Sequence, residues 1–415
     1  MDTQSFYNEV SGELDSILRY WMKHTPDKLH GGFVGRIDHH DFIYPDAPKG
    51  VVLNARILWS FSAAHNLRTN PEYLGFAERA FDYIAEHFID GVFGGAYWMV
   101  DAEGSPLNTK KQVYAQAFVI YACSEYFIAS GDGRARDLAV ELYYLLQRHS
   151  YDSRLGGYFE AFTRDWKLLG DARLSEKDEN EVKTMNTHLH ILEAYSTLYK
   201  IWPDDGLAGH IRGLLKDFPD HMVDKHTGHL KLFFSEDWTV KGNTLSFGHD
   251  IEASWLLLEA AENLHDQELT NEFLSMALQM AVAASRGLDI DGGLWYESGD
   301  AGQKLVTEKH WWPQAEALVG FVNAWQISND VAWLEKAMHT WEFIKNHIID
   351  LRSGEWVWGV DQDYQVLSSE DKVGVWKCPY HNARACIEII NRLGNTAIFP
   401  GGNGLNTSVD KSREV

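Results

Sequence analysis

Polar side chains able to do chemistry recur at the starts of six apolar stretches of this chain. The first stretch carries Asn54 and Arg56, the second Tyr114 and Gln116, and the third Asn186, His188 and His190. The fourth carries His249, Asp250 and Glu252, the fifth His310, Trp311, Trp312 and Glu316, and the sixth His381, Asn382 and Arg384. Such groups are costly to bury unless paired. Their recurrence at one register implies a polar cup at the end of an apolar body, the usual form of a small-molecule site. An imidazole titrates near 6.5, so it both takes and gives a proton near neutrality. Two imidazoles flanking one carbon can remove a proton from one face and return one to the other. An adjacent guanidinium can steady the enediolate oxygen that forms between those steps. Trp312 and Trp376 offer flat apolar faces to sugar rings. This set suits proton transfer alpha to a sugar aldehyde, by epimerisation or aldose–ketose isomerisation, with no cofactor and no metal.

A histidine met alone is usually a core or surface residue, and it is the repetition that singles out His190, His249 and His381. His188 and His190 are two apart on a helix and point to different faces, so at most one reaches the cup and His188 is expected to pack against a neighbouring helix. His249 and Glu252 have the spacing of one helical face but not the His-Glu-x-x-His pattern of zinc hydrolases. Glu252 is therefore expected to orient an imidazole. The chain shows neither a phosphate-cradling glycine loop after a buried strand nor a Gly-x-Ser-x-Gly elbow.

The elements that must position these groups are announced by a repeat. Asp-x-x-x-Gly occurs at Asp27–Gly31, Asp90–Gly94, Asp152–Gly156, Asp224–Gly228 and Asp350–Gly354, with a copy one residue tighter at Asp289–Gly292. The copies lie roughly sixty to seventy residues apart, as when one supersecondary unit is repeated around an axis. After each copy comes an aromatic extended run, such as Tyr97–Val100, Tyr158–Phe162 or Trp295–Glu297. Glycine pairs at Gly31–Gly32, Gly94–Gly95, Gly156–Gly157 and Gly292–Gly293 permit sharp turns at positive φ. The next segment is apolar nearly all round, as in Val52–Leu67, Met185–Trp202, His249–Asn263 and Trp311–Gln326, and reads as a buried helix. A second, amphipathic helix follows, as over Val331–Ile348. Asn70 then Pro71 reads as the cap and first residue of another. The expected fold is all-α: an (α/α)6 barrel of about twelve helices, with short β-hairpins in the loops at the active-site rim. Residues 1–395 are expected to form this one catalytic domain, and residues 396–415 a peripheral tail.

The net charge of −23 disfavours nucleic acid and anionic membrane as partners. Three cysteines without a Cys-x-x-Cys pattern suggest neither a disulfide framework nor a zinc ribbon. An acidic start with no apolar run does not read as a signal peptide. No stretch of about 18 apolar residues suggests a membrane span. The expectation is a cytoplasmic monomer or weak homodimer whose partner is a small sugar. Two other readings remain open on residues alone. An inverting glycoside hydrolase would pair Asp178 with Glu252 or Glu316, at roughly 6.5–9.5 Å. A non-enzymatic glycan-binding protein would leave the buried polar groups unexplained.

Five segments in order carry a resemblance: Asn54–Trp59, Met185–His190, Ser246–Trp255, His310–Glu316 and Trp376–Asn382. They closely resemble the N-acylglucosamine 2-epimerase superfamily, above all its members acting on β-1,4-linked disaccharides, from the first helix to about Leu393. The resemblance implies the same barrel and reversible C2 epimerisation of the reducing-end glucose of cellobiose or lactose. It puts the general acid/base pair on His249 and His381, a ring-opening or sugar-holding imidazole on His190, and enediolate stabilisation on Arg56. It gives Tyr114, Asn186 and Glu252 contact with the sugar or orientation of the His pair, and Asp178, Trp312 and Trp376 the second sugar unit. Relatives acting on N-acylglucosamine or isomerising mannose are the alternatives within the superfamily.

Overall fold

The computed structural model describes residues 1–176, 178–299 and 302–396, and the expected tail beyond them lies outside the described residues. Twelve α-helices follow one another: α1 Thr3–His24, α2 Val51–Leu67, α3 Pro71–Tyr83, α4 Val113–Ser130, α5 Gly133–His149, α6 Met185–Ile201, α7 Asp205–Asp217, α8 Phe247–Asn263, α9 Gln267–Ser285, α10 Trp311–Ser328, α11 Val331–Phe343 and α12 Tyr380–Thr396. The even-numbered helices close a ring, with α2 on α4, α4 on α6, α6 on α8, α8 on α10, α10 on α12 and α12 on α2. Each odd-numbered helix backs one of them, with α1 behind α12. This is the (α/α)6 barrel. The amphipathic stretch over Val331–Ile348 is α-helical to Phe343 and ends in a π-helical turn, Ile344–Ile348, as α3 and α7 also do.

The two rings begin differently. The outer helices open on acidic or amide caps: Asp2, Asn70, Asp132, Asp204, Asp266 and Asp330 each accept a backbone N–H of the first turn. Pro71 follows Asn70 at the first helical position. Of the five inner helices α2 to α10, only α6 has a side-chain cap. Several first N–H groups bond instead to the neighbouring repeat: Val51 to Trp98 O, Val113 to Glu160 O, Met185 to Leu232 O and Trp311 to Trp358 O. The inner helix starts are thereby stitched into one rim, and their side chains stay available.

The aspartate of each repeat folds the turn that leads there. Asp27 Oδ1 accepts from Leu29 N and His30 N at 2.9 and 3.0 Å, and Gly31 and Gly32 follow at φ 77° and 59°. Of the fourth glycine pair only Gly292 is at positive φ. A single antiparallel bridge closes each turn, for example Pro26 with Phe33 and Ile89 with Ala96. Two of the aromatic runs form ladders shorter than predicted, at Met99–Val100 and Ala161–Phe162, and the third ladder lies two residues later than predicted, at Glu297–Gly299. Those ladders reach back to the preceding repeat, as Lys49 to Val100, Lys111 to Phe162 and Ser246 to Glu297.

One element of the repeat went unread. A buried lysine just ahead of the inner helix reaches back to the turn aspartate: Lys49–Asp27 at 2.7 Å, Lys111–Asp90 at 3.1 Å, Lys183–Asp152 at 2.9 Å and Lys309–Asp289 at 2.7 Å. In the sixth repeat Lys372 takes Asp350 at 2.8 Å, while Lys377 takes Glu355 at 2.6 Å. The fourth repeat has Leu245 there instead. Cys123, Cys378 and Cys386 are buried free thiols, and no described helix is long and apolar enough to cross a membrane.

Candidate active site

The polar residues at the inner helix starts divide into two sets with opposite directions. Counted from the residue preceding each helix, the fourth position carries Asn54, Gln116, His188, Asp250 and Gln314. These side chains do not belong to the cup, contrary to the sequence reading of Asn54, Gln116 and Asp250. Asn54 bonds back to Gly50 O within its own helix start, and Asn382 donates to Glu355 at 2.7 Å. The other four hold the glycine turns. Gln116 Oε1 accepts from Ala96 N at 2.6 Å while its Nε2 donates to Ala96 O at 2.9 Å. Gln314 does the same at Leu294, at 2.7 and 2.8 Å. Asp250 accepts from Leu230 N and from His229 Nδ1. His188 accepts from Tyr158 N at 2.8 Å through Nε2 and donates to Thr184 O at 2.6 Å through Nδ1. It thus holds a turn and does not pack against a neighbouring helix as expected from the sequence.

The residues at the second, third and sixth positions meet one another instead. Trp312 packs against two imidazoles, its ring centroid 4.7 Å from His249 and 5.7 Å from His381. Gly248 makes this possible, because a Cβ there would stand 2.5 Å from the Trp312 ring. Tyr114 packs edge-on against His190 at 5.0 Å and lies 5.9 Å from Trp376. Arg56 donates to Tyr114 Oη at 2.7 Å and to Trp376 O at 3.5 Å, and its guanidinium lies over Phe118 and Tyr380. Arg56 Nε and Asn186 Oδ1 are buried without a protein partner. They are polar atoms left free beside the imidazoles' helix starts. Asp178 stands apart from this group on the loop leading to α6, accepting from Ser175 N at 2.9 Å, and its charge acts on Tyr296. Tyr296 in turn stacks on His310 at 4.0 Å.

Each of the three imidazoles is tied at Nδ1. His190 pairs with Glu193 at 2.9 Å, His381 with Glu316 at 2.6 Å and His249 with Ser246 Oγ at 2.8 Å. Nε2 is therefore the nitrogen each has to offer a substrate. Arg384, 1% exposed, joins the carboxylates: its Nη2 donates to Glu252 and Glu316 at 2.6 Å each, and its Nη1 to Glu193 and Tyr380. Sequence reasoning placed Arg384 and Glu316 near the cup but assigned no role to Glu193, Tyr380 or Ser246. The spacing of His190 and Glu193, three apart on α6, was an available signal for the first of these.

Burial sets the charges. It pushes His249 down to about 3, helped by His190, and pushes His381 well below the ordinary imidazole value, helped by Arg56 and Arg384. Burial thus favours the uncharged form of both rings. Burial and the neighbouring Glu316 charge push Glu252 up to about 7. Burial opposes ionisation of Glu193 as well, but Arg384 and His190 outweigh it and bring Glu193 down to about 2. Among the described residues, Glu252, Glu316 and His381 form the one trio of possible metal donors, within 4.8 Å of one another. Arg384 already sits on both carboxylates, so a cation there would face a fixed guanidinium.

A barrel of this kind, with imidazoles and an arginine around an aromatic cup, defines a class of sugar-handling protein. The family profile of N-acylglucosamine 2-epimerase matches residues 31–385. Cellobiose 2-epimerase of Bacteroides fragilis is 47% identical over 383 residues, covering 92% of this chain and 98% of the relative. Cellobiose 2-epimerase of Ruminococcus albus is 40% identical over 387 residues, covering 93% and 98%. The solved structure of cellobiose 2-epimerase from Bacillus thermoamylovorans is 38% identical with a TM-score of 0.90, covering 94% of this chain and all of that one. The chain belongs to the N-acylglucosamine 2-epimerase family.

Proposed function

We propose that this protein is an isomerase that epimerises C2 of the reducing-end glucose of β-1,4-linked disaccharides, cellobiose or lactose, to mannose. The observation that carries the chemistry is that His249 and His381 both pack on Trp312, each with Nδ1 tied back and Nε2 left to meet a substrate. Relatives at 36–47% identity that are named cellobiose 2-epimerases support the substrate. His190, fixed by Glu193, opens the sugar ring and exposes the aldehyde. One of the pair takes the C2 proton, and the C2–H electrons pass into the carbonyl to give an enediolate. The oxygen so charged is steadied by Arg56, with Tyr114 and Asn186 holding the sugar hydroxyls. Rotation about C2–C3 turns the other face, and the second imidazole returns a proton to C2 before the ring recloses. The second imidazole carries that proton on Nε2, taken up from water, and the first loses its proton to water before the next turnover. Trp312 and Trp376 stack on the sugars, and Asp178, beside Tyr296, meets the second unit. Buried, unpaired cysteines suit a cytoplasmic setting.

Glu252 and Glu316, the acids that an inverting hydrolase would set against Asp178, are both held by Arg384, which disfavours that reading. Incubation with cellobiose in deuterated water tests the proposal. Deuterium enters C2 of both epimers, and His249→Ala and His381→Ala each abolish turnover while the melting temperature holds. Release of free glucose, or near-normal turnover in either variant, refutes it.

A further inference from the structure

Ser246 precedes α8, is 1% exposed and pairs in register with Glu297 of the neighbouring repeat. A serine in this place ordinarily turns its oxygen to the N–H groups of the first helical turn. Thr184, the corresponding residue of α6, does so, accepting from Thr187 N at 3.2 Å. Ser246 makes no such cap. Its hydroxyl is spent on His249 Nδ1, 2.8 Å away. The helix thus gives up its cap at the one position where the hydroxyl meets an imidazole of the acid/base pair.

The chemistry of the partner matters. His190 and His381 are tied to carboxylate side chains, Glu193 and Glu316. An ionised carboxylate only accepts, which fixes hydrogen on Nδ1 and gives charge support to an imidazolium. A hydroxyl both accepts and donates, and it carries no charge. Beside Ser246, His249 keeps its orientation whether Nδ1 bears hydrogen or not. When Nε2 takes the C2 proton, the C2–H bond breaks and an Nε2–H bond forms. The ring then holds Nδ1–H against Ser246 Oγ, with no fixed anion to retain the charge, and so gives the proton up again. We propose that Ser246 is a positioning residue for proton transfer at C2, holding His249 in register while leaving its proton free to move. The inference rests on His249 being one of the acid/base pair.

The test compares Ser246→Ala, Ser246→Thr, Thr184→Ala and His249→Ala for kcat, KM, deuterium entry at C2 of cellobiose, and melting temperature. Ser246→Ala should lower kcat and C2 exchange together by roughly tenfold or more, as loss of an imidazole's orienting partner does, with KM and melting temperature nearly unchanged. Ser246→Thr should restore most of the rate. Thr184→Ala should do the reverse, lowering the melting temperature and sparing kcat. A Ser246→Ala protein with normal kcat and exchange, while His249→Ala is inactive, overturns the inference alone. So does a loss of rate that follows a loss of stability and is not rescued by threonine. An active His249→Ala overturns the acid/base assignment itself.

Discussion

Replacing His188 by glutamine separates the two polar layers of the inner helix starts. His188 is wholly buried and holds the turn at Tyr158 through Nε2, which must stay unprotonated to accept. Burial pushes its pKa down to about 3 from an ordinary 6.5. The sign follows from linkage. Below pH 6.5 the unfolded chain binds a proton at this residue and the folded chain does not, so stability falls as pH falls until the folded pKa is reached. Each pH unit in that window is worth about 1.4 kcal/mol, so near pH 5 this residue costs about 2 kcal/mol relative to neutrality. Glutamine already occupies the same position in two other repeats, where Gln116 and Gln314 make the same pair of bonds to their turns. His188→Gln should therefore fold and turn over normally at neutral pH, losing at most about 1 kcal/mol for the ring contacts with Tyr158 and Trp238. Near pH 5 it should be more stable than the parent by about 1–2 kcal/mol. The other groups of shifted pKa, such as His249 pushed down to about 3 and Glu160 pushed up by burial to about 8, are common to both proteins and cancel in the comparison. Urea unfolding of both proteins near pH 7 and near pH 5 reads the effect. An equal loss of stability on acidification in parent and variant refutes the buried neutral imidazole, and a dead variant with an intact fold returns His188 to the cup.

Two further outcomes follow from the geometry. Gly248→Ala puts a methyl group 2.5 Å from the Trp312 ring and must displace the indole on which His249 and His381 both pack. Displacement of about 1 Å at such a site costs roughly a hundredfold in kcat, measured as C2 exchange, and an unchanged rate would mean that Trp312 does not set the spacing of the pair. Lys111→Met leaves Asp90 buried with only the half-exposed Arg164 for charge, which should cost about 3 kcal/mol in denaturant unfolding. The double variant with Asp90→Asn should recover most of that, and a silent single variant would show that the repeated lysine is dispensable.

Much of the fold was legible because its signals are local and repeated. The turn aspartates, the glycine pairs, the cap at Asn70 with Pro71 and the contrast between all-apolar and amphipathic helices each lie within a few residues. Six copies of that order admit few closed arrangements other than a double ring of helices. The lysine–aspartate pairs were not read, although a lysine stands just ahead of four inner helix starts, at Lys49, Lys111, Lys183 and Lys309. A charged residue beside an apolar segment looks like a solvated end, and only the closed turn shows that the ammonium is buried against its aspartate.

The polar residues at the inner helix starts were legible but their layering was not, and helix geometry explains why. Residues two apart on an α-helix point about 200° apart, whereas residues three or four apart share a face. His188 and His190 were separated by this rule, and the structure places His188 on the turn and His190 against Tyr114. The same rule, counted from the residue before each helix, separates Asn54 from Arg56, Gln116 from Tyr114 and Asp250 from Glu252. Grouping those residues by nearness to the helix start merged two functions that the barrel keeps on opposite faces. One face ties the glycine turn to the helix and so fixes where the helix begins. The other carries the imidazoles, the guanidinium and the indole to a common centre. The hydrogen-bond partners of the three imidazoles, Glu193, Ser246 and Glu316, lie three residues along, three residues back or on a different helix, so a pairing such as His381 with Glu316, 65 positions apart, exists only once α10 and α12 are neighbours in the ring.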